Sequence, residues 1–132
     1  MPRVPAAVRE QVRTRANGCC EYCHLPDSVG GFPFHLEHII ARKHRGSSDL
    51  VNLAWACMLC NSAKGSDIAS LDHATGRLVR LFNPRTHDWD RHFKIEAGLV
   101  VGKTVTGRVT VELLQMNSDE QIEVRLALAE GD

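Results

Sequence analysis

Two Cys-x2-Cys pairs, Cys20/Cys23 and Cys57/Cys60, constrain this chain more than any other feature, and 33 residues separate them. A thiolate pair at this spacing grips a tetrahedral ion from a tight turn, and two such turns complete a closed four-thiolate shell. A closed shell leaves no position for water. The expected ligand is therefore a structural Zn2+ held by Cys20, Cys23, Cys57 and Cys60. Five cysteines in a short chain also raise the question of disulfides. Disulfides belong to oxidising compartments, and the N-terminal run MPRVPAAVREQVRTRA is charged throughout, without the apolar centre of a signal peptide. A redox Cys-x2-Cys needs one pair and usually accompanies a βαβ unit. Cys19 would form Cys-x3-Cys with Cys23, a poorer match to the second pair, and reads as a spare, partly buried thiol.

A chain of 132 residues suits one domain with one core. Zinc is useful at that size, because a structural site contributes on the order of 10 kcal/mol of apparent binding energy. No apolar run approaches the roughly 18 residues that span a bilayer, so no membrane partner and a cytoplasmic location are expected. Net charge is zero, but it is unevenly spread: residues 1–18 carry four Arg against one Glu, and residues 67–132 carry eight basic against eleven acidic residues. The front half is the expected dock for a polyanion.

The periodicity predicts a helix over Val4 to Arg15, with Val4, Val8 and Val12 one turn apart and Asn17-Gly18 as its stop. Asp27 to Gly31 reads as a loop, Phe32 to Ala41 as a strand and Arg42 to Asp49 as a basic loop. A short helix is expected from about Asn61 to Gly65. Beyond it come a turn over residues 72–76, a strand over Leu78 to Phe82 and an extended stretch from Phe93 to Val101. Gly107 to Met116 fits both helix and strand, and helix is preferred. Ser118 and Gln121 form a capping-box signal for a last helix to about Ala129.

The segment between and after the knuckles holds the chemistry: Glu37-His38-Ile39-Ile40, then Gly46-Ser-Ser-Asp-Leu50, then Asn52-Leu53, then Cys60-Asn61 and Lys64-Gly65. In this order the chain resembles the HNH endonuclease family of the ββα-metal (His-Me finger) group, over roughly residues 19–66. The resemblance implies an α+β fold: a ββα-metal core with a structural four-cysteine zinc site, an N-terminal helix and a C-terminal β/α extension over about 72–130. All of it is expected to form a single HNH endonuclease-like domain, 1–132.

The resemblance also implies metal-dependent hydrolysis of phosphodiester bonds in nucleic acid, with DNA as the expected substrate. His38 is then the general base, its ordinary pKa of about 6.5 suiting proton abstraction near neutrality. Asn52 steadies the hairpin loop. Glu37 and Asn61 bind the catalytic divalent ion, and an oxygen-donor pair of this kind favours Mg2+ or Mn2+. Lys64 contacts phosphate as a point charge. His35, two residues from Glu37 on the expected strand, is a further ligand or phosphate contact, and Lys43 and Arg45 track the backbone. The alternative is a catalytically inactive zinc-binding module that docks nucleic acid or protein.

Overall fold

The first helix, α1 (Ala6–Arg15), buries Val12 and partly buries Val8. Asn17 (φ 56°) and Gly18 (φ 70°) then turn the chain out of the helix in the left-handed region, where Asn and Gly are tolerated best. In this computed structural model the described residues are 3–29 and 31–131. Residue 30, inside the loop expected over 27–31, and residues 1, 2 and 132 lie outside them.

After the first knuckle comes an antiparallel ribbon of β1 (Phe34–His38) and β2 (Leu53–Cys57), with Phe34 opposite Cys57 and His38 opposite Leu53. β2 reads Leu-Ala-Trp-Ala-Cys and is buried along its whole length. Its short apolar run suits a strand covered on both faces. Helix α1 packs on it. Helix α2 (Met58–Lys64) starts where β2 ends, with the Cys57 sulfur as N-cap acceptor for the Cys60 amide. That cap moves the helix start three residues ahead of the expected Asn61. The β-β-α order is thus present.

The C-terminal half adds two more ribbons, each separate from the first. β3 (Ala69–Leu71) pairs with β4 (Leu78–Arg80) across a turn in which the Asp72 carboxylate accepts the Thr75 hydroxyl, 2.9 Å. After the short α3 (Trp89–His92), the stretch expected to be simply extended folds into a hairpin, β5 (Phe93–Glu96) and β6 (Leu99–Gly102). Ala97 (φ 51°) and Gly98 (φ 79°) form its turn. Two central residues with positive φ suit the right-handed twist of a hairpin, and Ala in the first of these places hid the signal. Helix α4 (Val105–Leu114) resolves the ambiguous segment. Helix α5 (Asp119–Glu130) opens on the Ser118/Gln121 capping box.

The fold is therefore α+β, helices with small antiparallel ribbons. Its buried residues form a common cluster in which Tyr22 and Leu25 of the first knuckle meet Leu53 of β2 and Phe82, Phe93 and Met116 of the C-terminal half. Trp89 Nε1 donates to Tyr22 O, 2.9 Å. Among the described residues no helix is long and apolar enough to cross a membrane.

Arg125 of α5 fastens the last helix to this core. Its buried guanidinium donates to Met116 O (2.7 Å), Gly98 O (3.0 Å), Asn117 Oδ1 (3.2 Å) and, more weakly, Cys23 O (3.4 Å). An apolar replacement strands these acceptors, at about 1–3 kcal/mol for each buried group left unmet. Arg125→Met should lower stability by at least about 3 kcal/mol, read as a reduced midpoint in thermal melts of the zinc-loaded protein.

Candidate metal centre and active-site groove

The two knuckles bring Cys20, Cys23, Cys57 and Cys60 together: their sulfurs all lie within 4.8 Å of one another, and all four residues are fully buried. None is in a disulfide. Four thiolates at about 2.3 Å from a central ion stand about 3.8 Å apart in a tetrahedron, and the Cys23 and Cys57 sulfurs are 3.7 Å apart. The donor set fits one Zn2+, with no ligand position left for water. The amides of Cys23 and Cys60 point at the Cys20 and Cys57 sulfurs, each at 3.4 Å, as in a tight metal-binding turn. Cys19 points elsewhere, its sulfur 3.6 Å from Asn17 O, and burial pushes its thiol up.

Between the knuckles the hairpin loop is held by Asn52. Its Nδ2 donates to Ser47 O (2.7 Å) and Ile40 O (3.0 Å), and its Oδ1 accepts from Ile40 N (2.9 Å). Gly46 lets this happen: a Cβ there would stand 1.7 Å from Ile40 O and 2.9 Å from Asn52 Nδ2. The clamp sets the chain immediately after His38.

His38 sits at the end of β1, partly exposed. The Ser48 hydroxyl lies 2.9 Å from its Nε2, and Arg42 Nε donates to the same nitrogen at 3.3 Å. A nitrogen that accepts from a guanidinium is unprotonated, so this geometry assigns the neutral ring's proton to Nδ1 and leaves Nε2 as the basic atom. Burial lowers the His38 pKa, and the Arg42 cation lowers it further. His38 is accordingly neutral near pH 7.

A groove of about 740 Å3 opens beside it, lined by Arg3, Arg9, His35, Leu36, His38 and Arg42 among others, with no carboxylate on its walls among the described residues. Two-stranded ribbons twist strongly, and here parity along the strand fails: exposed His35 shares the groove with His38, whereas Glu37 between them is buried.

Glu37 and Lys64 meet in the interior. Glu37 is 2% exposed, and both carboxylate oxygens are taken, one by the Tyr22 hydroxyl and the other by Lys64 Nζ at 2.8 Å. Lys64 is equally buried and also donates to Ile39 O, 2.9 Å. In this arrangement neither side chain is open to solvent. Burial raises the Glu37 carboxyl, and Lys64 opposes the rise. Burial also raises the Tyr22 phenol, keeping it a donor. Asn61 is half-buried on α2. With Glu37 engaged, it forms no open oxygen pair for a divalent ion. Among the described residues, the four cysteines form the one cluster of three or more His, Cys, Asp or Glu at metal-binding distances. Lys43 and Arg45 are exposed on the turn after Arg42. Sequence reasoning passed over Arg42, Arg9 and Arg3. Arg42 follows His38 by four residues at the head of the basic loop, which was the available signal.

Residues 20–67 match the family model for HNH endonuclease. The HNH segment thus spans both knuckles, β1, β2 and α2, and ends just past Lys64. No curated protein and no solved structure matches the chain. Helix α1, with Arg9, and the ribbons after β2 lie outside the HNH segment.

Two outcomes follow. Metal analysis should find one zinc per chain, and Cys60→Ser should lose both the zinc and the cooperative melt, since the metal's binding energy is folding energy. Lys64→Met leaves Glu37 buried without its partner, at about 3–5 kcal/mol. In that variant the carboxyl pKa rises further above its unfolded value. The stability gained by proton uptake is full below the unfolded value and is lost as pH rises through the folded one. Melting midpoints of Lys64→Met should therefore fall from pH 5 to pH 8, relative to those of the wild type.

Proposed function

We propose that this protein is an endonuclease that hydrolyses phosphodiester bonds in nucleic acid, with DNA as the expected substrate and His38 as the general base. The observation that carries the reading is the place of His38, its Nε2 accepting from Arg42 at the edge of a groove with no carboxylate among its described lining residues. The HNH match supports the reaction class.

In this mechanism Nε2 takes the proton from an attacking water, which occupies a place like that of the Ser48 hydroxyl. A general base of this kind contributes typically 10²–10⁴-fold. Asn52 holds the loop that follows His38, so the imidazole meets the groove at a set angle. A catalytic Mg2+ or Mn2+ belongs to the proposal through the family resemblance and supplies Lewis-acid chemistry when bound. Asn61 remains a candidate ligand for it. Lys43, Arg45 and His35 are exposed and available to the substrate backbone.

The occupied Glu37 carboxylate favours one other reading, a zinc-held nucleic-acid-binding module without cleavage. Plasmid nicking in Mg2+ or Mn2+ separates the two. Wild type should nick at least about 10²-fold faster than His38→Ala; equal rates in both ions would sink the enzyme reading. The ascending limb of log kcat/KM against pH should have its midpoint below about 6.5, because burial and Arg42 both disfavour the imidazolium. Arg42→Gln should move that midpoint upward.

A further inference from the structure

Four arginines lie in the first fifteen residues, and the structure sorts them into two kinds. Arg13 is tied to Asp27 through Nε (2.7 Å) and a second N–H (3.1 Å). Arg15 donates to Leu50 O (2.9 Å) and Leu53 O (2.6 Å), fastening α1 to the hairpin. Arg3 and Arg9 have no carboxylate partner within salt-bridge distance among the described residues and line the groove that holds His38. Arg9 lies over the Trp55 ring, 4.7 Å from its centroid, with one terminal nitrogen 3.4 Å from Phe34 O. Stacking fixes the guanidinium plane, and most of its five N–H donors remain free. Arg42 stands on the same groove from the hairpin side, against His38.

We infer that the N-terminal segment is a second jaw of the substrate groove: Arg3 and Arg9 bind backbone phosphates of a nucleic-acid strand, opposite Arg42, which binds the phosphate nearest His38. The inference rests on the nuclease reading for the nature of the strand. It adds a binding surface built from residues outside the HNH segment. The chemistry suits phosphodiesters. Guanidinium groups match phosphate oxygens in pairs, and a groove wall without carboxylates imposes no repulsion on a polyanion. These arginines reach phosphate only, so they position the strand and read no base sequence.

The test measures binding of a fluorescent DNA duplex between 50 and 200 mM salt, with His38→Ala as the parent so that cleavage does not intervene. Against it stand Arg3→Gln/Arg9→Gln in the same background and a control of equal charge, Arg77→Gln/Arg91→Gln, at exposed positions away from the groove. Each phosphate left without its arginine reduces the slope of log K against log salt by about 1. The slope of the groove variant should fall by about 2, equally on unrelated duplex sequences, while the control keeps the parent's slope. Arg9→Lys, which retains the charge, should recover part of the decrease. Zinc content and melting midpoint show whether the groove variant is folded; a misfolded Arg9→Gln shifts the test to Arg3→Gln alone, with a decrease of about 1. Equal slopes for groove variant and parent, or equal decreases in groove variant and control, overturn the inference and leave the nuclease reading intact. A parent that binds no duplex, with a wild type that cuts none, overturns both.

Discussion

Everything between residues 20 and 60 hangs from four sulfurs. The two knuckles are far apart in sequence, and the cluster brings Cys20 and Cys23 against Cys57 and Cys60 at the far end of β2. The ends of the intervening segment are thereby fixed, and the chain between them has little choice but to fold back on itself. It does so as the β1–β2 ribbon. One of the four cysteines also starts the next element, because Cys57 is the N-cap of α2. Assembly of the cysteine cluster, ribbon pairing and helix initiation are thus coupled. A chain of this size needs such a staple, since the fraction of surface it can bury is modest.

The second determinant is the buried set of Tyr22, Glu37 and Lys64. It joins the first knuckle, β1 and α2 at one point. A buried ion pair of this kind contributes little net stability beside an apolar alternative, yet breaking it is costly. Its effect here is on direction. Glu37 is drawn inward to meet α2, while the next residue on the strand stays at the surface. That neighbour is His38, which is left partly exposed at the groove with Arg42 and Ser48 as its partners.

What was legible in the sequence was local or paired by spacing. The cysteine pairs specify their own partners. Ser118 with Gln121, and Asp72 through Gly76, carry their hydrogen bonds within a few residues. The fate of Glu37 was not legible, because it depends on Tyr22, fifteen residues earlier, and Lys64, twenty-seven later. The same motif letters describe an open ligand and a sealed ion pair, and burial alone decides between them. His35 misled through strand parity, which assumes a flat ribbon; two strands twist too strongly for that. Arg42 was hidden among basic neighbours, and only the turn at Arg42–His44 sets it apart by folding it back onto His38.

Net charge would have dismissed nucleic acid as a partner, and the structure shows why that sum is uninformative. The chain is neutral, but its charges are used unequally. Arg13 and Arg85 meet carboxylates, Arg125 meets carbonyls, and Lys64 is sealed in the core. Arg3, Arg9 and Arg42 instead collect on one groove. Salt screens exposed charges beyond about 8–10 Å, so a charge entering this groove responds first to the cations that line it. The potential that matters is local. It is created by which arginines lack carboxylates, and that depends on the packing of α1 against the β1–β2 ribbon.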